Sequence, residues 1–244
     1  MAHRSDYQLN EEISWSLKEV VLGIFTFFAV NIFILVFPAI YYMIASEVPI
    51  LPDEKNFIRV NLLFNLLTQL SMLFVVWVFT IRRDKNALSQ MGFYKLGPKN
   101  ILLKIVLFGI FQTIIISIIY SILLDTLQSD VLEITELTTY IIGDRWLLIG
   151  FIIVAVIVAP LSEELFFRGF LYLGLRTRFG VISGSIVSSL LFGAAHIAPG
   201  NAIITFVIGL ILVNIYQRTG TIWSSIMVHS GFNSISVMAA VLTL

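Results

Sequence analysis

Ala159-Pro160-Leu161-Ser162-Glu163-Glu164-Leu165-Phe166-Phe167-Arg168-Gly169 places two adjacent carboxylates and an arginine inside a run, Trp146 to Leu175, that carries no other charge. A run of that length and apolarity reads as a helix crossing a bilayer, and an unpaired charge within it costs on the order of 2.5 to 3.5 kcal/mol to insert. Residues so placed need a partner or a task.

The rest of the chain has the same character. Of 244 residues, 58% are hydrophobic and 12% charged, against about 25% charged in soluble domains. The fold class expected is all-α, a polytopic transmembrane helical bundle embedded in the lipid bilayer. Formal net charge is zero, so the composition points to no nucleic-acid partner. The absence of cysteine excludes disulfides, thiolate metal sites and cysteine nucleophiles together. The first apolar run is too long for a signal-peptide core and lacks a small-residue cleavage site after it, so it reads as a retained span.

Seven spans are expected. After a polar segment, residues 1–19, with an interfacial helix around Tyr7 to Trp15, come Val20 to Ala45, Val60 to Ile81 and Ile105 to Leu124, the three helices of a region ending at residue 145. Residues 146–244 hold four more: one from Trp146 to the Arg176/Arg178 turn, then Val181 to Ile197, a short Ala202 to Tyr216, and Ile222 to Leu244. The loop from Arg82 to Lys104 carries six basic residues against one aspartate. Basic loops stay cytoplasmic, which puts the N-terminus and the Arg176/Arg178 and Arg218 turns on that same side.

Within the spans, Glu164 and Arg168 are i, i+4 and can neutralise each other. Glu163 lies about 100° round the helix without that partner and is a candidate general base. His196 and His229 fall in apolar spans, each among small residues. If the chain turns at Gly180, Glu163 is 17 residues before the turn and His196 is 16 after it, so both stand about 25 Å from the apex. His229 and Asn233 share one face of the last span, offering donors to a developing oxyanion or N and O ligands to a divalent cation. Asn31, Asn65 and Asn214 read as bonds between neighbouring helices. The chain has no His-Glu-x-x-His helix and no Gly-x-Ser-x-Gly element, and its aspartates lie in loops or tails, so the usual zinc-protease, serine-hydrolase and aspartyl-dyad arrangements are missing.

Glu-Glu-x-x-x-Arg (Glu163, Glu164, Arg168), Phe-x-x-x-His (Phe192, His196) and His-x-x-x-Asn (His229, Asn233) together resemble the signature of the CAAX protease and bacteriocin-processing family, also called CPBP or Abi proteins, related to the type II CAAX prenyl endopeptidases. The three motifs occur in order and cover roughly Pro160 to Asn233. The resemblance implies an intramembrane peptidase whose site opens towards the cytoplasm and whose partner is a membrane-associated peptide or protein substrate. Carried over by position, Glu163 with His196 would activate the attacking water, His229 and Asn233 would hold the oxyanion, and Glu164 with Arg168 would brace the site. Two cofactor states are open: Zn²⁺ on Glu163, His196 and His229 with a position left for water, or Glu163 as base without metal. A rival reading from another class is a non-catalytic scaffold, an immunity or regulatory protein using the same cavity for binding. The expected location is a bacterial plasma membrane.

Overall fold

The computed structural model describes residues 12–45, 54–94, 99–126, 144–196 and 199–242. Tyr7, at the start of the expected interfacial helix, lies outside them. Every regular element among the described residues is helical: α1 (Leu17–Ala45), α2 (Glu54–Val76, continuing through a wider π-helical turn, Trp77–Ile81), the short α3 (Ala87–Gln90), α4 (Lys99–Thr126), α5 (145–179), α6 (181–194), α7 (Pro199–Thr219) and α8 (Ile222–Leu242). In hydrocarbon no water can satisfy a bare N–H or C=O, so apolar runs of this length must close their hydrogen bonds internally as helices. Asp144 starts α5 by accepting from the backbone N–H groups of Trp146 and Leu147.

Residues 145–194 form one apolar helical run of 50 residues, about 75 Å if straight and far beyond the roughly 30 Å hydrocarbon core. It doubles back at Gly180, whose φ of 81° and ψ of 174° break the ladder. The rings of Phe167 and Phe192, 5.1 Å apart between centroids, show the fold-back directly, since 25 residues of straight helix would separate them by about 37 Å. The hairpin expected at Gly180 is therefore present, and the bundle is an integral membrane one. The next span is longer than its apolar core suggests: α7 has 21 residues, about 31 Å, enough to cross rather than re-enter.

The basic turns gather at one end. Tyr216 Oη donates to Met91 O at 2.9 Å, and Trp223 Nε1 donates to Phe93 O at 2.7 Å. Gly92 lies so close to the turn at Gly220 that a Cβ on it would sit 2.3 Å from the Gly220 carbonyl oxygen. Arg83 pairs with Glu19 at 2.7 Å. Asp84 accepts from the backbone N–H of Asn86 and from Gln90 Nε2, and Gln90 Oε1 accepts from the backbone N–H and hydroxyl of Ser14. These donors, the Asn86 N–H first, hold the Asp84 carboxyl below the usual aspartate range. At the opposite end Arg59 lies 3.9 Å from Asp144.

The N-terminal segment differs from expectation. Residues 12–16 are not helical, and Trp15 is a buried anchor rather than an interfacial residue. Its indole N–H donates to Phe170 O at 3.0 Å while its ring packs beside Phe170. Trp15, Val20, Phe166, Phe167, Phe170 and Phe192 belong to one core cluster that encloses the charged stretch.

Candidate active site

The helix carrying the carboxylates is irregular on both sides of them. Within α5 the segments Ile153–Val158 and Glu164–Tyr172 are π-helical, and Ala159–Glu163 between them is α-helical. Pro160 accounts for the first irregularity: it has no N–H to donate, and its ring crowds the carbonyl four residues back. Wider turns of this kind recur at functional sites.

Glu163, Glu164, Arg168 and His229 are brought together in a buried network. Arg168 Nη1 donates to Glu164 Oε1 at 2.8 Å, and both side chains are almost wholly buried, at 1% and 0% exposure. The guanidinium lies 4.2 Å above the centre of the Phe192 ring and reaches the carbonyl oxygen of Gly209 on α7 at 3.4 Å. A carboxylate, an arginine and an aromatic face thus offset part of the cost of burying charge. His229 Nδ1 is 3.0 Å from the same Glu164 oxygen. That oxygen already receives Arg168 and acts as an acceptor, so Nδ1 carries the hydrogen and Nε2 is left facing Glu163. The Nε2 to Glu163 Oε2 distance is 3.8 Å.

This contact also sets the depth of the two hairpins. Glu163 lies 17 residues from Gly180 and His229 nine residues from Gly220, about 25 and 14 Å along their helices. The turn at Gly180 therefore stands about 10 Å further out than the one at Gly220.

Glu163 has a partner that the motifs do not reveal. Gln69, on α2, donates from Nε2 to Glu163 Oε1 at 2.9 Å, and its own Oε1 accepts from the Ser162 hydroxyl at 2.5 Å. The available signal was a polar stripe inside an apolar span, Asn61, Asn65, Thr68 and Gln69, since intramembrane polar residues mark sites or helix contacts. Asn31 proves to be a helix-to-helix bond as expected, donating to Ser71 Oγ at 2.9 Å and accepting from Thr68 Oγ1 at 2.8 Å. Asn214 instead accepts from Arg218 on its own helix.

His196 and Asn233 stand apart from the buried network. His196 is half-buried, with Nδ1 2.9 Å from Phe192 O. It lines a cavity of about 440 Å³ with Glu163, Gln69, Asn31 and Thr68, walled by apolar residues of α1, α2, α5 and α6. The lining includes Phe28, Ile32 and Leu35 of α1, each more than half exposed on the outside of the bundle. Asn233 Nδ2 donates to Ala155 O at 2.8 Å, about two helical turns from Glu163.

Among the described residues no three His, Asp or Glu side chains are grouped to hold a metal ion. His196 and His229 each bond through Nδ1, to Phe192 O and to Glu164 Oε1, which leaves the Nε2 atom of each uncommitted.

Residues 145–235 match the model of the type II CAAX prenyl endopeptidase Rce1-like family. This segment of the chain is similar to that family. The match runs from the start of α5 to just beyond Asn233, so it contains both hairpins and all seven motif residues, and the family is one of membrane proteases. An uncharacterized protein of Mycoplasma capricolum is 26% identical over 239 residues, covering 91% of this chain and 68% of that protein. A Bacillus subtilis protein with the name "Putative membrane peptidase YdiL" is 30% identical over 87 residues, 36% of each chain. The chain thus aligns with about a third of that second relative.

Proposed function

We propose that this protein is an intramembrane endopeptidase that hydrolyses a peptide bond of a membrane-associated or lipidated protein, with Glu163 as the general base. The observation that carries the reading is the setting of Glu163: a carboxylate lining an apolar-walled cavity, held by Gln69 on one oxygen and faced by His229 Nε2 at 3.8 Å from the other. That separation is too long for a hydrogen bond and suits a water touching both groups.

In this mechanism Glu163 Oε2 takes a proton from the water as its oxygen attacks the carbonyl carbon of the substrate. His196, on the same cavity, stands beside the attacking water. Glu163 returns the proton to the leaving amine as the C–N bond breaks. Glu164 and Arg168 keep His229 in its tautomer and Glu163 in place. The substrate class is supported by the family description and by a cavity whose walls are apolar and whose α1 residues are exposed where lipid would lie. A bacterial plasma membrane is supported by the sources of the two relatives.

The test compares protein N-termini in membranes of cells making wild type or Glu163→Gln at equal levels. The mechanism expects a set of N-termini present with wild type and lost in the variant. Retention of the same N-termini by Glu163→Gln would show that Glu163 is not the base. If Glu163→Gln restores the phenotype of a deletion strain, the protein is a scaffold.

A further inference from the structure

We infer that Gln69 is a positioning residue for Glu163, and that Ser162 holds it from the other end. The inference rests on Glu163 being the general base. Gln69 lies outside the three motifs and outside residues 145–235 that match the family, so neither carries it.

The geometry is specific. Gln69 is buried, 5% exposed, in a span whose neighbours are mainly Leu and Phe. A buried side-chain amide has two different ends, and each must meet its complement. One end meets Glu163 Oε1 at 2.9 Å and the other meets Ser162 Oγ at 2.5 Å. A carboxylate oxygen only accepts, so the end beside Glu163 must be the NH₂. The end beside Ser162 is then the carbonyl oxygen, and two oxygens 2.5 Å apart need the serine proton between them, in preference to Val158 O at 2.7 Å and Ala159 O at 3.1 Å, the other acceptors of that hydroxyl. Turning the amide over would set its carbonyl oxygen against the Glu163 carboxylate. The Glu163 carboxylate thus sets the orientation in which Gln69 donates, and Ser162 holds it from the other end.

The consequence for the base is directional. Gln69 holds Oε1, so the carboxylate cannot rotate freely about its last bond, and Oε2 is kept as the oxygen that faces His229 and takes the proton. Ser162 and Glu163 are consecutive on α5, while Gln69 comes from α2. The clamp thus ties the base to a helix that also walls the cavity, through Thr68, Gln69 and Met72.

The experiment uses full-length protein in liposomes and an internally quenched peptide spanning a cleavage site found by the N-terminus comparison. Gln69→Met keeps length and burial but removes the donor. It should lower kcat by about 10- to 100-fold, the range expected for one lost hydrogen bond to a charged group, with KM within about twofold. Ser162→Ala should lower kcat several-fold in the wild-type background and have no further effect in Gln69→Met. Wild-type kcat in Gln69→Met, or a fall wholly in KM, overturns the inference. Should Gln69→Met not reach the membrane, Gln69→Asn, one methylene too short to reach Glu163, takes its place under the same criteria. Glu163→Gln is run in parallel: activity there sinks the base assignment, whereas inactivity there with a fully active Gln69→Met sinks only the positioning role.

Discussion

Asn233 donates its side-chain amide to the carbonyl oxygen of Ala155 at 2.8 Å, at a place where the helix itself cannot. The Ala159 N–H reaches back five residues to Val154 O, and the next residue, Pro160, has no N–H. Ala155 O is therefore skipped by the backbone ladder, and an unsatisfied carbonyl in a membrane interior is costly. Asn233 fills the gap from α8 and so ties that helix to α5 just before the glutamates.

Removing this donor should loosen the bundle. Asn233→Asp has nearly the same shape but no amide N–H, and it should cost about 1 to 3 kcal/mol, as should Asn233→Ala. Thermal unfolding in detergent, followed by size exclusion, reads the loss; an Asp variant as stable as wild type would show that Ala155 O is satisfied in another way.

Arg168 and Glu164 should behave as a unit. Arg168→Met leaves a buried carboxylate without its cation, a change that costs about 3 to 5 kcal/mol, and folded yield should collapse. In Arg168→Met/Glu164→Gln no charge is stranded, so yield should recover substantially while activity does not. Glu163→Gln should leave yield near wild type. Fluorescence-detected size exclusion of membrane extracts separates these outcomes.

Gly180 isolates a backbone effect. Its φ of 81° with ψ of 174° lies where side chains are rarely tolerated, yet no atom stands within 4 Å of where a Cβ would sit. Gly180→Ala should therefore destabilise by about 1 to 3 kcal/mol through strain alone. A Tm equal to wild type would place the turn elsewhere.

Asp84 gives a pH dependence at the basic end. Its folded pKa lies below its unfolded value because the Asn86 N–H and Gln90 stabilise the charged form. The stabilisation is thus complete above about pH 4 and is lost as pH falls through the lower, folded value. Asp84→Asn should melt below wild type at pH 7, and the gap should close as pH falls through the folded value. A constant gap would rule out the carboxylate as its source.

Much of this was legible in the sequence. Charge-free runs of about 20 residues marked the spans, and Gly180 between Arg178 and the next apolar run marked the hairpin. The i, i+4 spacing of Glu164 and Arg168 anticipated their ion pair, because neighbours on one helix follow from its pitch alone. The three motifs marked the residues around which the site is built.

Contacts between helices were another matter. Equal distance from Gly180 put Glu163 and His196 at one height, and they do line one cavity, but pitch could not say which way each side chain points. Gln69 reaching Glu163 from 94 positions away, His229 wedged between the two glutamates, and Asn233 aimed at Ala155 all depend on how each helix is rotated about its axis. In a soluble bundle a polar face reports that rotation. Here lipid and protein core are both apolar, so the helices are hydrophobic all round and the pattern carries little record of it. The sequence by itself determined the helices, their order and the chemistry available; only the packed bundle decided which polar group meets which.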